Sequence, residues 1–76
     1  MPLDPEQAKL LQAIGGNVRR LRQRSKLTQE RLAELVGVNP RTVQKIEAGK
    51  LNILVTTLMR VQSALDCRWE ELMGRD

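Results

Sequence analysis

Apolar residues recur along this chain at helical spacing, and caps and glycines divide the pattern into segments. Asp4 as N-cap, Pro5 at the first helical position and Gln7 three residues on make a capping-box-like start. Leu10, Leu11, Ile14, Val18 and Leu21 then trace a stripe roughly a hundred degrees wide, so one helix face is core. Gly15 and Gly16 interrupt it, and each costs about 1 kcal/mol against Ala in a helix interior. Another segment approaches closely there, or the helix bends, or it splits. The expectation is a continuous helix to about residue 24 with a weak point at Gly15.

A second helix is capped by Thr28, whose hydroxyl can accept an unpaired N–H of the first turn. It buries Leu32, Ala33 and Val36 and stops at Gly37, a residue that reaches positive φ cheaply. Asn39 as N-cap and Pro40 at the first position open a third helix, ended by Gly49. At about 100° per residue its Val43 and Ile46 point one way, with Glu47 at the edge of that side. Arg41, Gln44, Lys45 and Ala48 cluster opposite. A fourth segment carries Leu58, Val61 and Leu65, with Asn52 the best candidate for its cap. A fifth, from about residue 69 to 73, offers Trp69, Leu72 and Met73, one of which completes the core.

The outer face of the third helix has long hydrogen-bonding side chains, a small residue and no carboxylate. That suits a helix pressed into the major groove of DNA. Arg and Lys can donate to guanine O6 and N7, and Gln can pair with adenine N6 and N7. Charge strengthens this reading. Residues 19–50 hold nine basic and three acidic residues, a net +6, while the remainder holds four against six, a net −2. A cationic centre with slightly acidic ends fits a nucleic-acid partner.

These residues resemble the helix-turn-helix of the lambda-repressor-like proteins, the Cro/repressor or XRE type. The matching elements are Thr28, Gln29 and Glu30, then Leu32 and Ala33, Gly37 and Val38, Val43, and Ile46, Glu47 and Gly49. The similarity runs from about residue 14 to residue 73. It implies an all-α, compact bundle of about five helices, with the helix-turn-helix at 28–48, bound to double-stranded DNA as a homodimer. It also implies that Arg41, Gln44 and Lys45 face bases and that Gln29 and Lys50 meet phosphates. Thr42 is a further expected base reader and Asn39 a further phosphate contact, as is Arg20 from the dense run Arg19, Arg20, Arg22, Arg24 and Lys26, where a solvated face is the other reading. Arg22 and Glu47 are expected to form a structural ion pair. Trp69, Met73, Val55 and Ile53 are the expected dimer surface. Leu51, Asn52, Ile53 and Leu54 depart from the usual Pro-Ser entry to the fourth helix, and Asp66 stands where a helix-ending Gly is common. Residues 1–13 read as an extension of the first helix.

Composition bounds the rest. Seventy-six residues make one small domain. Its core must be aliphatic, since the chain has one Trp and no Phe or Tyr. One Cys and no His leave no disulfide framework, zinc constellation or Cys–His pair, so neither an enzyme nor a cofactor is expected. No membrane span or signal peptide is read, and the cytoplasm is the expected location. No ligand-sensing domain fits, so no small-molecule effector is expected. The expected function is a transcriptional regulator, a repressor acting on a palindromic operator. Two alternatives remain: an antitoxin that masks a toxin protein and represses its own operon, and a controller protein of a restriction–modification system.

Overall fold

The computed structural model describes residues 2–74. Its helices are α1 (Pro5–Arg24), α2 (Gln29–Val36), α3 (Pro40–Glu47), α4 (Val55–Leu65) and α5 (Trp69–Met73), and no strand occurs among the described residues. Helix α1 packs on α3 and α5, and α2 packs on α3 and α4. Leu21, Val18, Leu32, Val36, Val43, Val61 and Leu72 are fully buried at the centre. Leu72 is the member of the α5 apolar set that completes the core, while Trp69 stays 40% exposed and Met73 packs at the edge.

Local chemistry sets the helix starts. The Asp4 carboxylate accepts the Gln7 N–H (2.9 Å) and the Gln7 side chain accepts the Asp4 N–H (3.1 Å). Thr28 Oγ1 accepts from Arg31 N (3.0 Å), and Asn39 Oδ1 accepts from Arg41 N (2.8 Å). Helix α4 breaks this rule. Its N-cap is Leu54, with no side-chain cap hydrogen bond, and not Asn52. Leu51 and Ile53 pack against the core just before it, so burial of the incoming chain fixes where α4 begins.

Helices α1 to α4 all end through a left-handed residue: Lys26 (φ 59°), Gly37 (φ 84°), Gly49 (φ 71°) and Asp66 (φ 48°). In each case the following N–H bonds back to a carbonyl five residues earlier: Leu27 to Arg22, Val38 to Ala33, Lys50 to Lys45 and Cys67 to Gln62. Such closures satisfy carbonyls that the helix end leaves open. Only Gly37 and Gly49 take this conformation without the side-chain penalty of about 1–2 kcal/mol.

Helix α1 runs unbroken through Gly15 and Gly16. Of the alternatives at this point, the one seen is the close approach of another segment: the end of α3 comes up against Gly15. A Cβ placed there would lie 2.2 Å from the Ile46 carbonyl oxygen and 2.8 Å from that of Glu47. Gly16, by contrast, faces open space. The absence of a side chain at residue 15 therefore lets the end of α3 lie directly on α1.

Candidate nucleic-acid interface

Helix α3 presents two unlike sides. Val43 and Ile46 are buried, whereas Arg41, Gln44 and Lys45 are exposed together on the outer face. Thr42 is half-buried at the margin, and Lys50 is exposed just past the helix end. The outer face matches the one drawn from the helical period, because only one side of α3 can be buried when α1 and α2 both pack behind it.

Glu47 is the only carboxylate on α3. Arg22 Nε donates to its Oε2 (2.6 Å) and Arg22 Nη2 to its Oε1 (3.0 Å), a two-pronged pair. A third nitrogen, Nη1, donates to the Leu27 carbonyl (2.9 Å). Gln29 Nε2 also donates to Glu47 Oε1 (3.1 Å). The hydrogen bond to Glu47 pushes the Arg22 guanidinium above its usual range, against the opposing effect of burial. Glu47 is thus held by Arg22 and Gln29 with its side chain only 5% exposed, so the exposed residues of α3 include no carboxylate.

An open hollow of about 400 Å³ lies between these helices, lined by Arg19, Arg22, Gln29, Gln44, Glu47 and Ala48. Gln29 and Gln44 therefore come together, with Arg19 from α1 beside them. Arg20 points elsewhere. Its Nη2 donates to Asn17 Oδ1 (2.7 Å), and it borders a groove with Lys9, Gln12 and Gly74. The Asn17 amide in turn donates to the Leu72 and Gly74 carbonyls (2.8 and 2.9 Å), tying α1 to the end of α5. Asn39 serves as the α3 cap.

Charge alone does not separate Arg19 from the rest of the basic run at residues 19–26, where a phosphate contact and a solvated face are both open. The signal is positional: Arg19 lies four residues after Gly15 and three before Arg22, so all three share the face of α1 that meets α3. Arg60 was missed. Its Nη1 reaches the Val36 carbonyl at the end of α2 (3.3 Å), where a cation is favoured by the helix dipole.

The expected dimer residues divide into two classes. Val55 is 73% exposed and Trp69 is exposed, whereas Ile53 and Met73 are partly buried against the core. Leu54 and Met59 are exposed as well, and Met59 follows Val55 by one helical turn. On α5, Glu71 accepts from Arg68 N (3.1 Å) and from Arg24 Nη1 (2.9 Å). These two partners hold the Glu71 carboxyl below the usual carboxylate range. Cys67 is buried, and burial pushes its thiol up, away from the thiolate form. Among the described residues no group of three or more His, Cys, Asp or Glu could hold a metal ion, and no helix is long and apolar enough to cross a membrane.

The helix-turn-helix family model HTH_3 matches residues 18–72. The chain belongs to the HTH_3 helix-turn-helix family. Solved structures agree with this membership. The restriction-modification controller protein C.AhdI from Aeromonas hydrophila is 34% identical, with a TM-score of 0.77 over 82% of this chain and 94% of that one. An HTH_3 family transcriptional regulator from Vibrio cholerae shares the fold at 23% identity and a TM-score of 0.82, over 92% of this chain and 39% of that one. A hypothetical transcription factor, NHTF, from Neisseria shares it at 24% identity and a TM-score of 0.81, over 96% and 85%. No curated protein matches the chain. The HTH_3 match begins at Val18, so the first turns of α1, with their capping box at Asp4 and Gln7, lie ahead of the family's matched span.

Proposed function

We propose that this HTH_3 protein is a sequence-specific double-stranded DNA-binding transcriptional regulator, a repressor that works as a homodimer on a two-fold-related operator. The observation that carries this reading is the outer face of α3: Arg41, Gln44 and Lys45 exposed side by side, with the one acidic group of the helix locked to Arg22. Arg41 and Lys45 would address guanine and Gln44 adenine in the major groove. Thr42, at the margin, would contact the groove wall or a nearby base. Lys50 and Gln29 would hold the sugar–phosphate backbone on either side. The exposed Val55 and Trp69, with Leu54, supply apolar surface for a second copy. The protein acts by binding and needs no cofactor.

Reading and holding should fail differently. Arg41→Ala should relax preference at one or two base pairs per half-site, at about 1–3 kcal/mol. Lys50→Ala should weaken all sequences alike and reduce the slope of log K against log salt by about 0.9 per subunit. The measurement is affinity for a panel of single-base operator changes at two salt concentrations. A uniform loss for Arg41→Ala, with the rank order of the panel preserved, would show that Arg41 grips the backbone instead.

One narrower reading has its own support. The 34% identity to a restriction-modification controller, over nearly the whole of that chain, favours control of a restriction–modification operon. A methyltransferase or endonuclease gene beside the encoding locus would support it. No feature of the chain favours the antitoxin alternative, and co-purification with a small toxin would be needed to revive it.

A further inference from the structure

The hollow between α1 and α3 has an unequal distribution of charge. Its floor, Arg22 and Glu47, is a closed ion pair and contributes no net charge. Its rim carries two neutral amides, Gln29 and Gln44, and one cation, Arg19. Arg19 is exposed and has no carboxylate partner among the described residues. The Gln29 amide uses one N–H on Glu47 and keeps a second. A cation and amide N–H donors around one open space suit an oxyanion with several acceptor oxygens.

Position says which oxyanion. Helix α1 crosses the C-terminal end of α3, where Gly15 lies against the Ile46 and Glu47 carbonyls. Ala48, small and exposed, lines the same hollow from the end of α3. A side chain arriving from α1 at that end lies outside the helix that enters the groove. It therefore meets the groove wall, which is backbone, before any base edge. We infer that Arg19 seats a DNA backbone phosphate in this hollow, together with Gln29, and that its neighbour Arg20 does not. This rests on the DNA-binding reading above. The two arginines are adjacent in sequence but about 100° apart around α1, and Arg20 is committed to Asn17 on the other side.

The test compares wild type, Arg19→Ala, Arg19→Lys and Arg20→Ala on one selected operator duplex and on an unrelated duplex, across a salt series. Circular dichroism and thermal melting first establish that each variant folds. Arg19→Ala should lose affinity on both duplexes and reduce the salt slope by about 0.9 per subunit. Arg19→Lys should restore the slope, because a phosphate accepts a point charge. Arg20→Ala should leave the slope unchanged. An unchanged slope for Arg19→Ala overturns the inference, as does a loss confined to the operator duplex, which would make Arg19 a base reader. Equal losses for Arg19→Ala and Arg20→Ala also overturn it, since the hollow would then have no special role. Failure of wild type to bind any duplex would instead overturn the DNA-binding reading itself, and this inference with it.

Discussion

Arg22→Met should destabilise the fold by about 3–5 kcal/mol, because it leaves Glu47 charged and unpaired where its side chain is only 5% exposed. Glu47→Leu should cost on the same order, since it strands the Arg22 guanidinium, whose side chain is 11% exposed. The double variant should lose much less than the sum, as two apolar side chains replace a pair that was expensive to desolvate. Recovery should stop short of complete. Arg22 also donates to the Leu27 carbonyl, and Gln29 also donates to Glu47, so those two groups lose partners in the double variant. Urea unfolding of the four proteins measures the coupling. Strict additivity would mean that the pair does not hold α1 against α3. The consequence for function is separate from stability. In Arg22→Met the freed Glu47 carboxylate lies close to Gln44 on the face proposed to meet DNA, so affinity should fall further than unfolding explains.

The second large effect turns on two adjacent glycines with opposite surroundings. Gly15→Ala should destabilise and Gly16→Ala should stabilise. In both, Ala gains about 1 kcal/mol of helix propensity. At residue 16 nothing opposes the gain, because no atom lies near the new methyl. At residue 15 the methyl would sit 2.2 Å from the Ile46 carbonyl oxygen, and backbone must move to admit it. Such overpacking costs about 1–3 kcal/mol, occasionally more. The displaced element is the C-terminal end of α3, so Gly15→Ala should also weaken DNA binding, while Gly16→Ala leaves it intact. In a domain of this size 1 kcal/mol moves the melting temperature by about 4–8 °C, so the opposite signs are easily resolved. Equal shifts for the two variants would contradict the close approach of α3 to α1.

What could be read in the sequence was local. The caps at Asp4, Thr28 and Asn39 depend on a side chain reaching an N–H two or three residues ahead, and all three form. The left-handed turn at Gly37 follows from the residue type itself. The buried side of α3 followed from period alone. What escaped depends on distant partners. The start of α4 at Leu54 is set by burial of Leu51 and Ile53, not by a capping residue. Lys26 and Asp66 adopt positive φ although neither type demands it, because the chain must turn to bring Leu27 and Cys67 inward. Gly15 was visible as an anomaly, but its partner lies some thirty residues along and only the packed fold identifies it. The same holds for the arginine run. Five basic residues within residues 19–26 look alike in sequence. Once α3 is placed, Arg22 pairs with Glu47, Arg24 reaches Glu71, Arg20 turns to Asn17, and Arg19 faces the hollow.

The most direct test of the central claim is selection of bound duplexes from a random double-stranded DNA pool with the intact chain. The expected result is one enriched palindrome whose half-site centres lie about 34 Å apart on one face, the spacing two copies of α3 would need. Retention of all sequences alike, or no retention at low salt, would contradict it, since the exposed face of Arg41, Gln44 and Lys45 would then read no bases.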